Sequence, residues 1–401
     1  MAGAPIDFDP FGAAMAADPY PAYRQLRLYD PVHYVAERDM WALSRYADVR
    51  NGLRDWETFS STPSAELSDL GRLFASGGNM LDADPPLHDE LRKMVRFPFG
   101  PRQIAELEPR ITSAVEVLLG RMSASTDGRA DLASGLAWAL PTDIVCLLLG
   151  VPDDYHDQLL EWLRLLQPSG PGQTTLSPAA HEASPVISEY FLDLIRYKQR
   201  VPADDVLTHL GRALSSGEIS PEQIPGMCSL LFTAGIETTA GLISNGLLWL
   251  ARFPEERQRL VGHPELLADG VEELLRFDAP VQYLARTTTR SVRIADTSIP
   301  AGARVVLIYA SANRDEARFE QPDELRVLRK PRGHLSFGDG LHRCLGAPLA
   351  RLEAKVALRG VLERFPQYEL AGSPEISAGL SLRALSSLPV TLNEQNDQSK
   401  E

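Results

Sequence analysis

The stretch Phe337-Gly-Asp-Gly-Leu-His342-Arg-Cys344-Leu-Gly346 decides how this chain is read. Its three glycines let backbone approach something flat and large, because no Cβ stands in the way. Cys344 lies just before a helical pattern that begins at Ala347. A helix N-terminus offers backbone N–H groups and the positive end of the helix dipole, and both stabilise a thiolate. A thiolate in that setting is a good metal ligand. A lone cysteine is otherwise more often a small core hydrophobe.

The chain around it has 401 residues, 44% of them hydrophobic, enough for a sizeable core. Its formal net charge of −14 argues against non-specific nucleic-acid binding, which needs basic surface to meet phosphates. Three cysteines, Cys146, Cys228 and Cys344, are too few for a disulfide framework, so a cytoplasmic protein is expected. The N-terminus has neither a basic region nor a long apolar one, as a signal peptide requires. Residues 225–251 carry a single charge, Glu237, and are long enough to cross a bilayer. Ser229, Thr233, Thr238, Thr239, Ser244 and Asn245 interrupt the stretch, and a carboxylate near its middle is costly in lipid. A helix buried in a protein core is expected, with no membrane.

Apolar residues at spacings of three and four predict helices over 104–122, 132–149, 154–166, 186–200, 221–252, 254–260, 264–277 and 347–364. Residues 19–30 read as a turn into a helix, and the pattern also turns helical from Leu87. Strands are expected at 32–34, 40–43, 287–294, 297–299 and 304–308. Residues 60–79, with a short helix around 67–74, and 167–185 read as loops, the second because Pro168, Gly170, Pro171 and Gly172 break a helix. Residues 332–346 are a glycine-rich loop and 392–401 a disordered tail. The pattern is mainly α with a minor β portion. No boundary splits it, so residues 1–401 are expected to form one domain.

Three further constellations stand along the chain. Ala234-Gly235-Ile-Glu237-Thr238-Thr239 places a carboxylate and hydroxyls inside the apolar helix, where they need partners. Back-bonding of a hydroxyl to a helical carbonyl is the plain explanation. Glu273-Leu-Leu-Arg276 puts opposite charges three apart on one helix face. Asp84-Pro-Pro-Leu-His88-Asp-Glu-Leu-Arg92 puts a histidine and an arginine four apart at a helix start, able to reach one anion.

Together with the Cys344 loop, and in their order along residues 18–390, these motifs resemble the bacterial cytochrome P450 family. The resemblance implies a P450 fold with haem b between the long central helix and the loop and helix that carry the axial thiolate of Cys344. It implies that Phe337, Gly338 and Gly346 flank the haem and that His88, Arg92, Arg286 and His342 hold its propionates. It puts Gly235 beside the oxygen-binding face, and Thr238 and Glu237 in oxygen activation and proton relay. It makes Glu273, Arg276 and Arg329 structural support for the haem pocket. Leu325 and Arg326 depart from the family, which often has Phe and Asp there.

A monooxygenase of this kind consumes O2 and two electrons, and the chain carries no flavin or nicotinamide fingerprint. The resemblance implies an iron–sulfur ferredoxin and its NAD(P)H-dependent reductase, docking on Arg96, Arg102, Arg110, Arg343 and Arg351. It implies a substrate pocket walled by Leu230, Thr233, Ala234, Val281, Leu284 and Leu382, in a protein expected to be monomeric. Those walls are mostly apolar, so a largely apolar small molecule is expected. Phe59-Ser-Ser, Leu67-Ser-Asp69 and Val281-Gln-Tyr-Leu-Ala-Arg286 resemble members that hydroxylate or demethylate small aromatic acids and aryl methyl ethers. Two alternatives are a tailoring hydroxylase of a larger natural product, such as a terpenoid or polyketide, and a non-catalytic haem-thiolate sensor.

Overall fold

The structure, a computed structural model, describes residues 6, 8–65, 67, 78–124, 128–166, 175–377 and 381–392. The expected helix at 67–74, much of the two expected loops and nearly all of the expected tail lie outside the described residues. In chain order the elements begin with α1 (Ala13–Ala17), α2 (Tyr20–Tyr29), β1 (Val32–Val35), β2 (Met40–Leu43), α3 (Tyr46–Arg54) and β3 (Phe59–Ser60). There follow α4 (Leu87–Val95), α5 (Pro101–Ser123), β4 (Arg129–Asp131), α6 (Ala139–Leu149), α7 (His156–Leu166), α8 (Pro178–Arg200) and α9 (Val206–Ser216). The long helix α10 (Gln223–Arg252) leads to α11 (Pro254–Gly262) and α12 (Leu267–Phe277). The strands β5 (Leu284–Thr288), β6 (Val292–Ile294), β7 (Thr297–Ile299) and β8 (Arg304–Leu307) precede α13 (Tyr309–Ala312) and α14 (Ala347–Arg364). Short strands β9 (Glu369–Leu370), β10 (Glu375–Ile376), β11 (Leu385–Ser387) and β12 (Pro389–Thr391) end the described chain.

The architecture is mainly α with a minor β portion. Helix α10 is its axis: Ile224, Met227, Phe232, Ile236, Ile243, Leu247 and Leu250 are all buried. It packs on α6, α8, α12 and α14, while α14 also packs along α5. Among the described helices α10 is the one long and apolar enough to cross a bilayer, and 72% of its most apolar window is buried inside the protein. The main sheet has the order β1-β2-β8-β5-β3, with β2 and β8 parallel and the other neighbours antiparallel.

Several boundaries differ from the expectations for local reasons. The expected loop 167–185 ends early, because Pro178 fits the first helical turn and the Ser177 hydroxyl accepts from Ala180 N at 3.1 Å. Pro185 lies inside that helix on its exposed face, where water can reach the carbonyl its ring leaves without a donor. The strand expected at 287–294 is two strands, and the first begins at Leu284. Between them Arg290 turns back to donate to Thr58 Oγ1 at 2.7 Å. Helix α9 was not anticipated, although Asp205 caps it by accepting from Thr208 N at 2.7 Å and Gly217 ends it in the left-handed region. The Leu325 and Arg326 departures pack without disruption: Leu325 is buried and Arg326 N donates to Glu273 Oε1 at 3.0 Å.

Candidate functional site

The Cys344 loop is held by its own backbone. Gly338 N donates to Leu335 O at 2.8 Å, and Cys344 N donates to Phe337 O at 2.9 Å. Gly340 has φ +69°, and a Cβ there would lie 2.7 Å from Leu53 O, so only glycine fits. Gly346 differs: the nearest protein atom to an added Cβ is Phe99 Cε1 at 3.9 Å, so no close protein contact demands a glycine there. Cys344 has an accessible face, while the remainder of the residue is crowded by protein. That crowding raises its thiol pKa, opposed by N–H groups of Gly346 and Ala347 and by the Arg92 and Arg351 guanidinium groups. Phe337 is half-buried beside the loop, with the Arg351 guanidinium 4.4 Å from its ring centroid.

Four basic side chains from three segments meet at one rim. His88, buried on α4, packs its ring 4.6 Å from the ring of His342. Its Nδ1 is 2.9 Å from Asp89 Oδ1, while its buried Nε2 has no hydrogen-bond partner among the described residues. Arg92, one turn on, donates to Arg343 O at 2.7 Å. Burial pushes His342 down to about 3, helped by the positive charges of Arg286, His88 and Arg92. Arg286 is buried on β5, donating from Nη1 to Ala285 O at 2.7 Å. Two guanidinium groups beside two imidazoles, one of them neutral and the other with an orphaned nitrogen, are chemistry that suits an anion.

The long helix presents a stripe that breaks its buried character. Leu230, Thr233, Gly235 and Thr238 are half-buried and Ala234 is exposed, while Ile236, Glu237 and Thr239 are buried. Thr238 Oγ1 donates to Ala234 O at 2.6 Å, the back-bond expected of a helical threonine. A Cβ on Gly235 would lie 2.7 Å from Val145 Cγ2, so close packing of α10 on α6 already requires glycine there. Val281 and Leu382 face each other in an isolated antiparallel bridge. Both are half-buried, as is Leu284.

Behind the loop, Glu273 and Arg276 are fully buried and bidentate, with two contacts of 2.8 Å. Arg329 Nε joins Glu273 Oε1 at 2.9 Å. Asn313 bridges this support to the loop: its carbonyl accepts from Arg276, its Oδ1 accepts from Leu335 N, and its Nδ2 donates to Ser336 Oγ at 2.8 Å.

Sequence reading missed three participants. Ser61 Oγ lies 3.0 Å from His342 Nε2. Glu272 binds Arg351 at 2.5 and 2.9 Å and His334 at 3.0 Å, which pulls the Glu272 carboxyl down to about 2 against its burial. Glu353 is fully buried on α14, and neither of its carboxyl oxygens has a hydrogen-bond partner among the described residues. A polar residue at a core position, four after Leu349 and three before Val356, was its available signal.

Among the described residues no three His, Cys, Asp or Glu side chains gather to hold a metal ion. The residues present do fit haem: an accessible thiol, a basic rim suited to its propionates and an open glycine position. A cytochrome P450 family model matches residues 196–375. Cytochrome P450 130 of Mycobacterium tuberculosis is 40% identical over 381 residues, covering 90% of this chain and 92% of that protein.

The chain belongs to the cytochrome P450 family.

It is accordingly a P450 monooxygenase, and its cofactor is haem b with an axial cysteine thiolate. The vitamin D(3) 25-hydroxylase of Pseudonocardia autotrophica is 37% identical, covering 97% of each chain. The crystal structure of CYP109E1 from Bacillus megaterium in complex with testosterone is 31% identical with a TM-score of 0.85, covering 94% of this chain and 98% of that one.

Proposed function

We propose that this P450 inserts one oxygen atom of O2 into a largely apolar small molecule, with Cys344 as the axial ligand. Bound haem supplies the iron centre at which dioxygen is reduced and cleaved. His88, Arg92, Arg286 and His342 anchor the propionates, and the orphaned His88 Nε2 is the single observation that carries this placement. Gly338 and Gly346 leave room for the ring, and Phe337 flanks it. Backbone N–H groups of Gly346 and Ala347 share the sulfur's charge.

On the opposite face, Thr238 keeps its hydroxyl proton on Ala234 O, which leaves its oxygen lone pairs turned outward as acceptors. Thr238 thereby holds a proton-bearing group in place, and Glu237, one residue before it, relays protons from the helix interior. A sensor that only binds a gas has no use for this pair. Glu273, Arg276 and Arg329 fix the chain that leads into the ligand loop.

Electrons come from a ferredoxin and its NAD(P)H-dependent reductase. Arg96, Arg110 and Arg343 are exposed and suit an acidic partner. Arg102 and Arg351 are already engaged by Glu106 and Glu272. The protein acts in the cytoplasm as a monomer.

Leu230, Val281, Leu284 and Leu382 give the pocket apolar walls, with Thr233 and Ala234 beside them. The short motifs 59–61 and 281–286 favour small aromatic acids and aryl ethers. The vitamin D(3) hydroxylase and the testosterone complex among the relatives favour a larger alicyclic substrate of natural-product size. Titration of the ferric holoenzyme with testosterone and with 4-methoxybenzoate separates the two, because the better-fitting probe gives the larger low-spin to high-spin shift. The reaction class is tested by the ferrous carbon monoxide spectrum of wild type and Cys344→Ala. A strongly red-shifted Soret band in the first and its loss in the second are expected; the same band in both would sink the ligand assignment.

A further inference from the structure

We infer that the buried Asp278–Arg383 pair and Gly241 together position the substrate wall at Leu382, fixing it against the same helix that carries Thr238. The inference rests on the proposal above that Val281 and Leu382 line the substrate pocket.

Leu382 alternates with buried Ser381 and Arg383, so it projects to one side while they project to the other. The bridge to Val281 is closed on both sides: Gln282 N donates to Ser381 O at 2.8 Å, and Arg383 N donates to Pro280 O at 2.7 Å. Bridge partners present their side chains to the same face. Val281 and Leu382 therefore move as one surface.

That surface is tied down from behind. Arg383 Nε lies 3.2 Å from Asp278 Oδ1, while its Nη1 and Nη2 donate to Ala16 O and Ala17 O at 2.8 and 3.2 Å. Asp278 also accepts from Tyr20 Oη on α2 and from Trp249 Nε1 on α10, both at 2.7 Å. One carboxylate that is buried thus gathers α2, α10 and the 381–385 strap. An ion pair so enclosed is stiff, because each partner removed leaves a charge without compensation.

The strap also touches α10 directly, at three residues on one helix face. Asn245 Nδ2 donates to Arg383 O at 2.9 Å, and Ser244 Oγ accepts from Leu385 N at 3.2 Å. A Cβ on Gly241 would stand 2.8 Å from that same Arg383 carbonyl. Gly241 follows Thr238 by three residues, so the strap and Thr238 are registered to one rigid helix. The missing methyl at 241 sets how closely Leu382 approaches the reacting centre.

The test uses holoenzyme and two probes that bind the haem iron through nitrogen, imidazole and 4-phenylimidazole, with affinities read from the Soret shift. Leu382→Ala is made first. An unchanged affinity ratio for the two azoles in that variant would show that Leu382 does not wall the pocket, and the inference fails with that reading. Given a changed ratio there, Gly241→Ala is expected to alter 4-phenylimidazole affinity about fivefold or more, with imidazole affinity kept, as a contact of methyl size does in an apolar pocket. Asp278→Asn is expected to move the ratio in the same way and to lower the melting temperature. Should Asp278→Asn yield no holoprotein, Gly241→Ala decides alone. Wild-type affinities for both azoles in Gly241→Ala, or equal changes in both, would overturn the positioning role. A wild-type protein lacking the thiolate carbon monoxide band would instead defeat the haem-thiolate proposal, which is read separately.

Discussion

Replacing Glu273 with alanine removes the one carboxylate between two arginines. Arg276 is fully buried and Arg329 nearly so, and both point at Glu273. In Glu273→Ala the two guanidinium groups would share a dry site with no counter-charge. Three carbonyls, of Asn313, Pro322 and Glu324, still accept from Arg276 and soften the loss. Breaking a buried pair in this way costs about 3–5 kcal/mol. A chain of 401 residues has an unfolding entropy of about 0.8 kcal/mol/K, from ~2.1 cal/mol/K per residue. The quotient is a drop of about 4–6 °C in melting temperature. The assay is thermal unfolding followed by far-ultraviolet circular dichroism at a fixed scan rate, beside the rate at which haem passes to apomyoglobin. Haem loss should quicken as well, because Glu273 also accepts from Arg326 N and Arg276 reaches the Asn313 carbonyl that precedes the ligand loop. Glu273→Gln keeps the shape and an acceptor, so it should fall between wild type and alanine. A Glu273→Ala protein that melts within about 1 °C of wild type would refute the reasoning.

Thr238→Ala should keep the carbon monoxide band but divert reducing equivalents from product to hydrogen peroxide; unchanged coupling would place the proton relay elsewhere. Gly340→Ala must displace the loop, since its φ is +69° and Leu53 O lies 2.7 Å from the added methyl, so lower haem occupancy and a loss of about 1–3 kcal/mol are expected. Burial alone raises the Glu353 carboxyl from 4.5 to about 8, so between those values the folded chain binds a proton that the unfolded chain has released. Stability from this group is full below pH 4.5 and declines as pH rises toward 8, by on the order of a few kcal/mol. Glu353→Gln cannot ionise, so the melting temperature of wild type minus that of the variant should fall across the window. A difference that stays level with pH would mean that Glu353 has a partner or a water that keeps it ionised.

The ligand loop was legible because its constraints are local. Gly340 must be glycine for its own backbone and Cys344 must precede its own helix, and both facts fit within ten residues. The basic rim was harder, since the His88–Arg92 pair, Arg286 and His342 come from three distant segments whose separate residue types say little. Only an ordered set of motifs could assemble them in advance. The Glu273–Arg276 pair reads as a surface couple by spacing, and what makes it buried is Asn313 and residues 320–329 folding over it. Helix α9 carried its caps in plain view at Asp205 and Gly217, but charged neighbours hid its apolar face. The strap at residues 381–385 was beyond sequence reading for a different reason. Its anchors are a carboxylate at 278, a glycine at 241 and two carbonyls near residue 16, none of them in a pattern. The ligand loop is thus written in one short motif, because its constraints act within it. Placement of the proposed substrate wall rests on long-range contacts, which no local pattern announces. On the proposal above, specificity in this protein is to be sought at Asp278, Arg383 and Gly241 as much as at the residues proposed to line the pocket.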